Sequence, residues 1–198
     1  MKAKITPRKE IVLLYRPEQA DAQEKLPQLL EEMGIEYRLV AQEELSMWTG
    51  ELAGYLHRTS EQAEGEDYPQ LPAAMAMGGL SSKRLDQLLR SVAAQGISLP
   101  IKMVITPYNE RWEFGQLIQE VSQEHALFMA MERLKRLSDR ASRLPQPDEE
   151  IRLLIKQSKE LLAQMNRNDD RQPSKEELDQ AADRLEPVSY THLTLPTT

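Results

Sequence analysis

The chain is predicted to be an α/β protein: a small, mainly parallel sheet of about four strands, built from two βα repeats and followed by a helical C-terminal appendage. Two observations predict this. Short apolar runs (IVLLY at 11–15, IEYRLV at 35–40, AAMAMGG at 73–79 and IKMVIT at 101–106) alternate with stretches whose apolar residues recur every three or four positions. The first two of those helical stretches each end in Gly followed by Ile, at Gly34-Ile35 and Gly96-Ile97, so the pattern of the first half returns in the second.

Composition bounds the rest. With 198 residues, 40% hydrophobic and 29% charged, the chain has room for one modest α/β core and extra helices. Only 2 Trp, 6 Tyr and 2 Phe are present, so aliphatic side chains must fill most of that core. The absence of cysteine excludes disulfides, thiolate metal sites and cysteine nucleophiles. No apolar run approaches the roughly 18 residues a membrane span needs, and the start lacks a signal-like apolar stretch; a bacterial-type cytoplasmic protein is the expectation. A formal charge of -7 argues against capture of nucleic acid or anionic membrane. The most basic stretch, MERLKRLSDRASRL at 131–144, alternates its cations with apolar residues and reads as a solvated helix face.

Residues 1–10 are expected to be a flexible N-terminal segment, and IVLLY the first strand. In PEQADAQEKLPQLLEEM, Leu26, Leu29, Leu30 and Met33 form one helical stripe, with Pro27 dividing an initial turn from the main helix and Gly34 ending it. IEYRLV completes a βαβ unit. Met47, Trp48, Leu52 and Tyr55 mark a short helix starting near Thr49 with His57 as its terminal residue, and a Glu-rich polar linker follows near 58–71. AAMAMGG runs into a glycine turn, Leu85, Leu88, Leu89 and Val92 make the next helix, and IKMVIT is the closing strand. One sheet is expected rather than two layers hinged near Gly65, because neither half alone holds much core. The α/β domain is placed at 11–127.

A helical extension follows at 128–186. Leu127, Phe128, Met131, Leu134, Leu137 and Ala141 form a stripe that ends before Pro145, and Ile151, Leu154, Ile155, Leu161 and Leu162 form a second. Ser174 and Glu177 have capping-box spacing for a third helix. The last twelve residues, PVSYTHLTLPTT, carry no charge and break the helical pattern. They resemble translated adapter read-through, so 187–198 is expected to be a non-native, disordered tail without functional weight.

Within residues 72–127, a strand with its glycine turn, a Ser- and Leu-patterned helix and LPIKMVITPYNERWEFGQLIQEVSQEH follow at short spacing. This stretch resembles the uncharacterised bacterial domain-of-unknown-function family 3783, at Pro100, Lys102, Thr106, Pro107, Asn109, Trp112, Leu117, Glu120, Glu124 and His125. GIEYRLVAQEEL and the GYL after it look like that family's upstream half. The resemblance implies membership and no chemistry.

The residues themselves offer contacts rather than catalysis. Thr106-Pro107 stops a strand, Asn109 can accept N–H bonds at the start of the next helix, and Trp112 can fold back over the strand ends as a lock. Arg111 is the plausible anion contact of that turn, whereas Lys102, inside the strand, reads as an edge residue. Gly78 and Gly79 ahead of Ser81-Ser82 could offer backbone N–H groups to a phosphate, but no nucleotide-loop motif accompanies them. Glu120 and Glu124 share a helix face with His125 nearby; without a further ligand they read as a partner-facing surface, and no metal, cofactor or catalytic residue is expected. The leading functional expectation is a non-catalytic protein-interaction or regulatory module, using the helical extension for a protein partner or self-association. The alternative is a small-anion or nucleotide-responsive enzyme or sensor built on the turns at the carboxyl ends of the strands.

Overall fold

The computed structural model describes residues 8–20, 22–57, 68–165 and 172–191. Most of the expected N-terminal segment, the linker over 58–67 and the end of the tail at 192–198 lie outside them. The chain divides into two compact units, Met1–Ser122 and Gln123–Thr198.

The first unit holds a four-stranded sheet of β1 (Ile11–Tyr15), β2 (Glu36–Val40), β3 (Ala74–Gly78) and β4 (Ile101–Val104), in the order β2-β1-β3-β4. β1 pairs with β2 in parallel and β3 with β4 in parallel, but β1 and β3 run antiparallel. The sheet is therefore mixed, not mainly parallel as the sequence suggested. The reason lies in the connection between the halves. β2 ends at Val40 beside Tyr15, and β3 begins at Ala74 beside the same Tyr15. The described part of the connection holds a 3-10 turn at Gln42–Glu44 and the one-turn helix α2 (Thr49–Leu52), and because the chain re-enters at the end of the sheet it left, β3 runs against β1.

Each half is a βαβ unit. α1 (Lys25–Glu32) and α3 (Ser82–Ala94) both end in a glycine at positive φ, Gly34 and Gly96. In both, the following Ile N–H reaches back to the carbonyl five residues earlier, Ile35 to Leu30 at 2.9 Å and Ile97 to Val92 at 3.2 Å, which satisfies carbonyls the helix end leaves open. Pro27 sits in the first turn of α1, where a missing N–H costs nothing, so it starts this helix instead of dividing it; Pro17–Ala20 ahead of it forms a separate 3-10 turn.

Alternation along the strands sends Leu13, Ala76 and Met103 to one face of the sheet and Val12, Leu14 and Met75 to the other. Leu26, Leu30, Leu88 and Val92 of α1 and α3 cover the second face. The first is covered by Leu52, Tyr68, Leu71 and by Phe114, Leu117 and Ile118, from the start of α4 (Phe114–Ala141). The two central strands, β1 and β3, are buried on both sides, which is why they are apolar throughout, whereas the edge strands β2 and β4 are partly exposed.

The second unit contains the rest of α4 together with α5 (Glu149–Met165) and α6 (Lys175–Thr191). Leu134, Ala141, Ile151, Leu178, Ala182 and Leu185 form its own apolar core. α6 starts with the expected capping box: Glu177 N–H donates to Ser174 Oγ at 3.2 Å, and Ser174 N–H to Glu177 Oε2 at 2.8 Å. It runs on through Pro187 to Thr191, where a break had been expected after Glu186.

Candidate functional site

The turn singled out in the sequence is held by its own backbone. Asn109 Oδ1 accepts the Thr106 N–H at 2.8 Å, and Asn109 Nδ2 donates to the Val104 carbonyl at 3.0 Å. Asn109 thus locks the strand-to-turn corner; the helix begins later, at Phe114, and its start is not what Asn109 caps. Trp112 packs half-buried against the core, its ring tilted against Tyr108 at 5.4 Å, and its carbonyl accepts both the N–H (2.9 Å) and the hydroxyl (3.0 Å) of Thr49. Arg111 is exposed in the same turn.

These contacts belong to a larger symmetry. Thr49 N–H donates to the Trp112 carbonyl and Phe114 N–H to the Met47 carbonyl, both at 2.9 Å. Gly50 N–H donates to the Glu110 carbonyl at 2.7 Å and Gly115 N–H to the Leu45 carbonyl at 2.8 Å. Every bond has a counterpart in which the halves exchange roles, around the bridge between Trp48 and Glu113. The strand registers agree: Ile11 opens opposite Glu36 as Ala74 opens opposite Ile101, and β1 and β3 cross about Leu13 and Ala76. The first unit is an internal two-fold repeat, in which Tyr15-Arg16 corresponds to Gly78-Gly79 and Leu39 to Val104.

At the β3 end, Gly78 and Gly79 serve packing. A Cβ on Gly78 would lie 2.4 Å from the Tyr55 hydroxyl, and one on Gly79, at φ +71°, would lie 2.2 Å from the Lys9 carbonyl oxygen. Tyr55 occupies the space above the glycines and donates its hydroxyl to that same carbonyl at 2.8 Å. The Arg8 guanidinium lies 5.1 Å from the centre of the Tyr55 ring and pairs at 2.6 Å with Glu110 Oε2. Burial pushes the Tyr55 phenol above its ordinary pKa; Arg8 opposes this and Glu110 adds to it.

At the equivalent β1 end the corresponding residue is Arg16, at φ 48°, in the left-handed region that a side chain disfavours. Arg16 thus carries a Cβ at the position where Gly79, having none, lets the Lys9 carbonyl oxygen lie 2.2 Å from where a Cβ would stand. An open groove of about 590 Å³ lies there, with Leu14, Leu39 and Val40 among its apolar lining and Arg16, Glu18 and Gln23 among its polar lining. One wall is fixed by a hydrogen-bonded chain: Tyr15 donates its hydroxyl to Gln42 Oε1 at 2.5 Å, and Gln42 Nε2 donates to the Tyr68 carbonyl at 2.9 Å. Behind it, Arg38 donates to Glu44 at 2.5 Å. Burial would raise the Glu44 pKa, but the Ala41 N–H and the Arg38 guanidinium outweigh it and hold this carboxyl below its ordinary value.

Residues 74–128 match the family described as Domain of unknown function (DUF3783). The resemblance read from the sequence is thereby shown for this stretch. No curated protein and no solved structure matches the chain. The DUF3783 match begins at β3 and continues into α4, so it takes in the second half of the two-fold repeat and leaves the first half, with its groove, outside.

The sequence-named residues fall into separate groups. Thr106, Asn109, Arg111 and Trp112 share the turn of the DUF3783 segment, and Gly78-Gly79 close the strand paired with the one leading into it. Glu124 and His125 are exposed on the part of α4 that belongs to the second unit. His57 is exposed and lies five residues beyond the end of α2 rather than terminating it. Among the described residues, no group of three or more His, Cys, Asp or Glu is placed to hold a metal ion, and no helix is long and apolar enough to cross a membrane. Tyr55, Arg8, Glu110 and Arg16 carry most of the local chemistry and were not singled out as site residues; the only signal in the chain was the glycine pair standing where the other half has Tyr-Arg.

Proposed function

We propose that this chain is a non-catalytic protein-interaction or regulatory module that engages its partner through the helical unit. The exposed stripe on α4 carries the reading. Phe128 is 53% and Met129 55% exposed, and each follows by four residues an exposed polar side chain, Glu124 and His125. Residues four apart lie on one helix face, so two large apolar groups sit beside a polar margin, the composition of a protein contact. The opposite side of the same helix fills the core with Ala130, Leu134 and Leu137, so these two side chains are surplus to folding.

Exchanging both for serine in the full chain tests this. Sedimentation velocity and cross-linking of wild-type protein should reveal association, with itself or a partner, that the double variant loses while its melting temperature stays put. Equal association by both proteins would remove α4 from the reading. A second reading, a small-ligand sensor acting at strand carboxyl ends, is favoured by the groove above β1 and β2. The turns first named for it, at Gly78-Gly79 and Asn109, are engaged in internal contacts.

A further inference from the structure

We propose that α4 pairs with α4 of a second copy of this chain, antiparallel, about a two-fold axis beside Phe128 and Met129. This rests on the reading of α4 as the contact surface and names the partner.

The residues around the apolar pair point to a second copy. Phe128 and Met129 are neighbours on one continuous helix, and both are exposed. Glu124 and His125 stand ahead of them and Glu132 and Lys135 behind, all exposed. His125 precedes Met129 by four residues and Glu132 follows Phe128 by four, so the two lie one turn to either side of the pair. Glu124 and Lys135, four before and seven after Phe128, lie along the flank that carries its ring. Glu132 meets Lys135 at 4.0 Å, with the side chains 46% and 59% exposed, a contact loose enough to be shared with another group.

The order of the charges sets the orientation. When a copy of the helix is turned end for end about Phe128 and Met129, its Lys135 comes beside Glu124 and its Glu132 beside His125. Each contact occurs twice, because a two-fold interface uses the same patch on both sides. Across the axis the two Phe128 rings meet and the two Met129 side chains meet, which covers the apolar surface. Parallel pairing would instead set Glu124 against Glu124 and Lys135 against Lys135, and like charges so placed repel. Arg133 does not compete for Glu124, since Asp183 and Glu186 of α6 hold it at 2.7 and 2.5 Å. The complementarity is complete within the chain, so a second copy brings everything the surface asks for. A contact centred on one helix from each copy is small, which places the dimer in the weak, transient class.

Sedimentation velocity of the full chain from roughly 1 to 200 μM tests the pairing, and wild type should pass from monomer to dimer across that range. Phe128→Ser with Met129→Ser should abolish the dimer. Glu124→Lys and Lys135→Glu should each weaken it at least about fivefold, because each reversal acts twice, and the two together should restore it with the signs exchanged. A wild type that stays monomeric throughout overturns self-pairing and leaves the α4 surface to a partner of different sequence. A dimer that survives the serine exchange removes α4 from both readings. A dimer lost with serine but not restored by the paired charge reversal overturns the antiparallel arrangement.

Discussion

Gly79 and Arg16 occupy equivalent positions and show how much one Cβ decides. Gly79→Ala would add strain at φ +71° and a clash with a backbone oxygen that cannot swing aside. A loss of about 3 kcal/mol or more is expected, read as a lower urea midpoint at unchanged slope. Tyr55 makes a pH prediction. Its phenol is raised above the usual 10, so the unfolded chain ionises first as pH climbs. The stability it contributes is fully present below pH 10 and is lost as pH rises through its folded value; Tyr55→Phe should lose about 1 kcal/mol at neutral pH and flatten the alkaline decline. Glu44 acts at the other end of the scale. Its lowered carboxyl stabilises the fold above the ordinary carboxylate value of 4.5 and ceases to do so as pH falls through the folded value, and Glu44→Gln should blunt that acid loss. Gly34 and Gly96 were legible in the sequence because their partners lie within a few residues, whereas Asn109 was expected at a helix start and instead bonds back to Val104 and Thr106. Tyr55 was not legible, because it acts on Lys9, 46 residues away, and a contact of that span leaves no local pattern.

The elements themselves, two βα repeats and three later helices, follow from periodicity and glycine caps, while several of their bounds differ: α1 starts at Lys25, α2 ends at Leu52 and α6 runs to Thr191. The direction of β3 does not follow from them. Alternation and hydrophobicity are the same for a strand read either way, and only the connection determines which end it enters by. That connection is pinned by the exchanged hydrogen bonds of residues 45–50 with 110–115. Gly50 lies at the tightest point, where a Cβ would come within 2.9 Å of the Glu110 carbonyl oxygen and of Leu56. Gly50→Ala should therefore destabilise by about 1–3 kcal/mol, even though alanine is the better helix former, in a thermal melt followed by tryptophan fluorescence. The loss of charge and of helical pattern after Glu186 suggested a stop there, but α6 runs on through Pro187 to Thr191.

Across the whole chain, two cores are built separately, one around the sheet and one among α4, α5 and α6. Both tryptophans, Trp48 and Trp112, lie in the first unit, so their fluorescence reports that unit alone. Leu134→Ala, at a fully buried position of the helical core, should cost that core about 2–5 kcal/mol; circular dichroism should then show earlier helix loss while the fluorescence transition stays in place. The DUF3783 match, covering only the second half of the repeat, gives the two-fold arrangement a wider meaning. A homodimer assembled from one such half would have identical ends by necessity, both closed or both open. Joined in tandem on a single chain, the halves are released from that identity, and one end could close around a tyrosine while its twin stayed free to specialise.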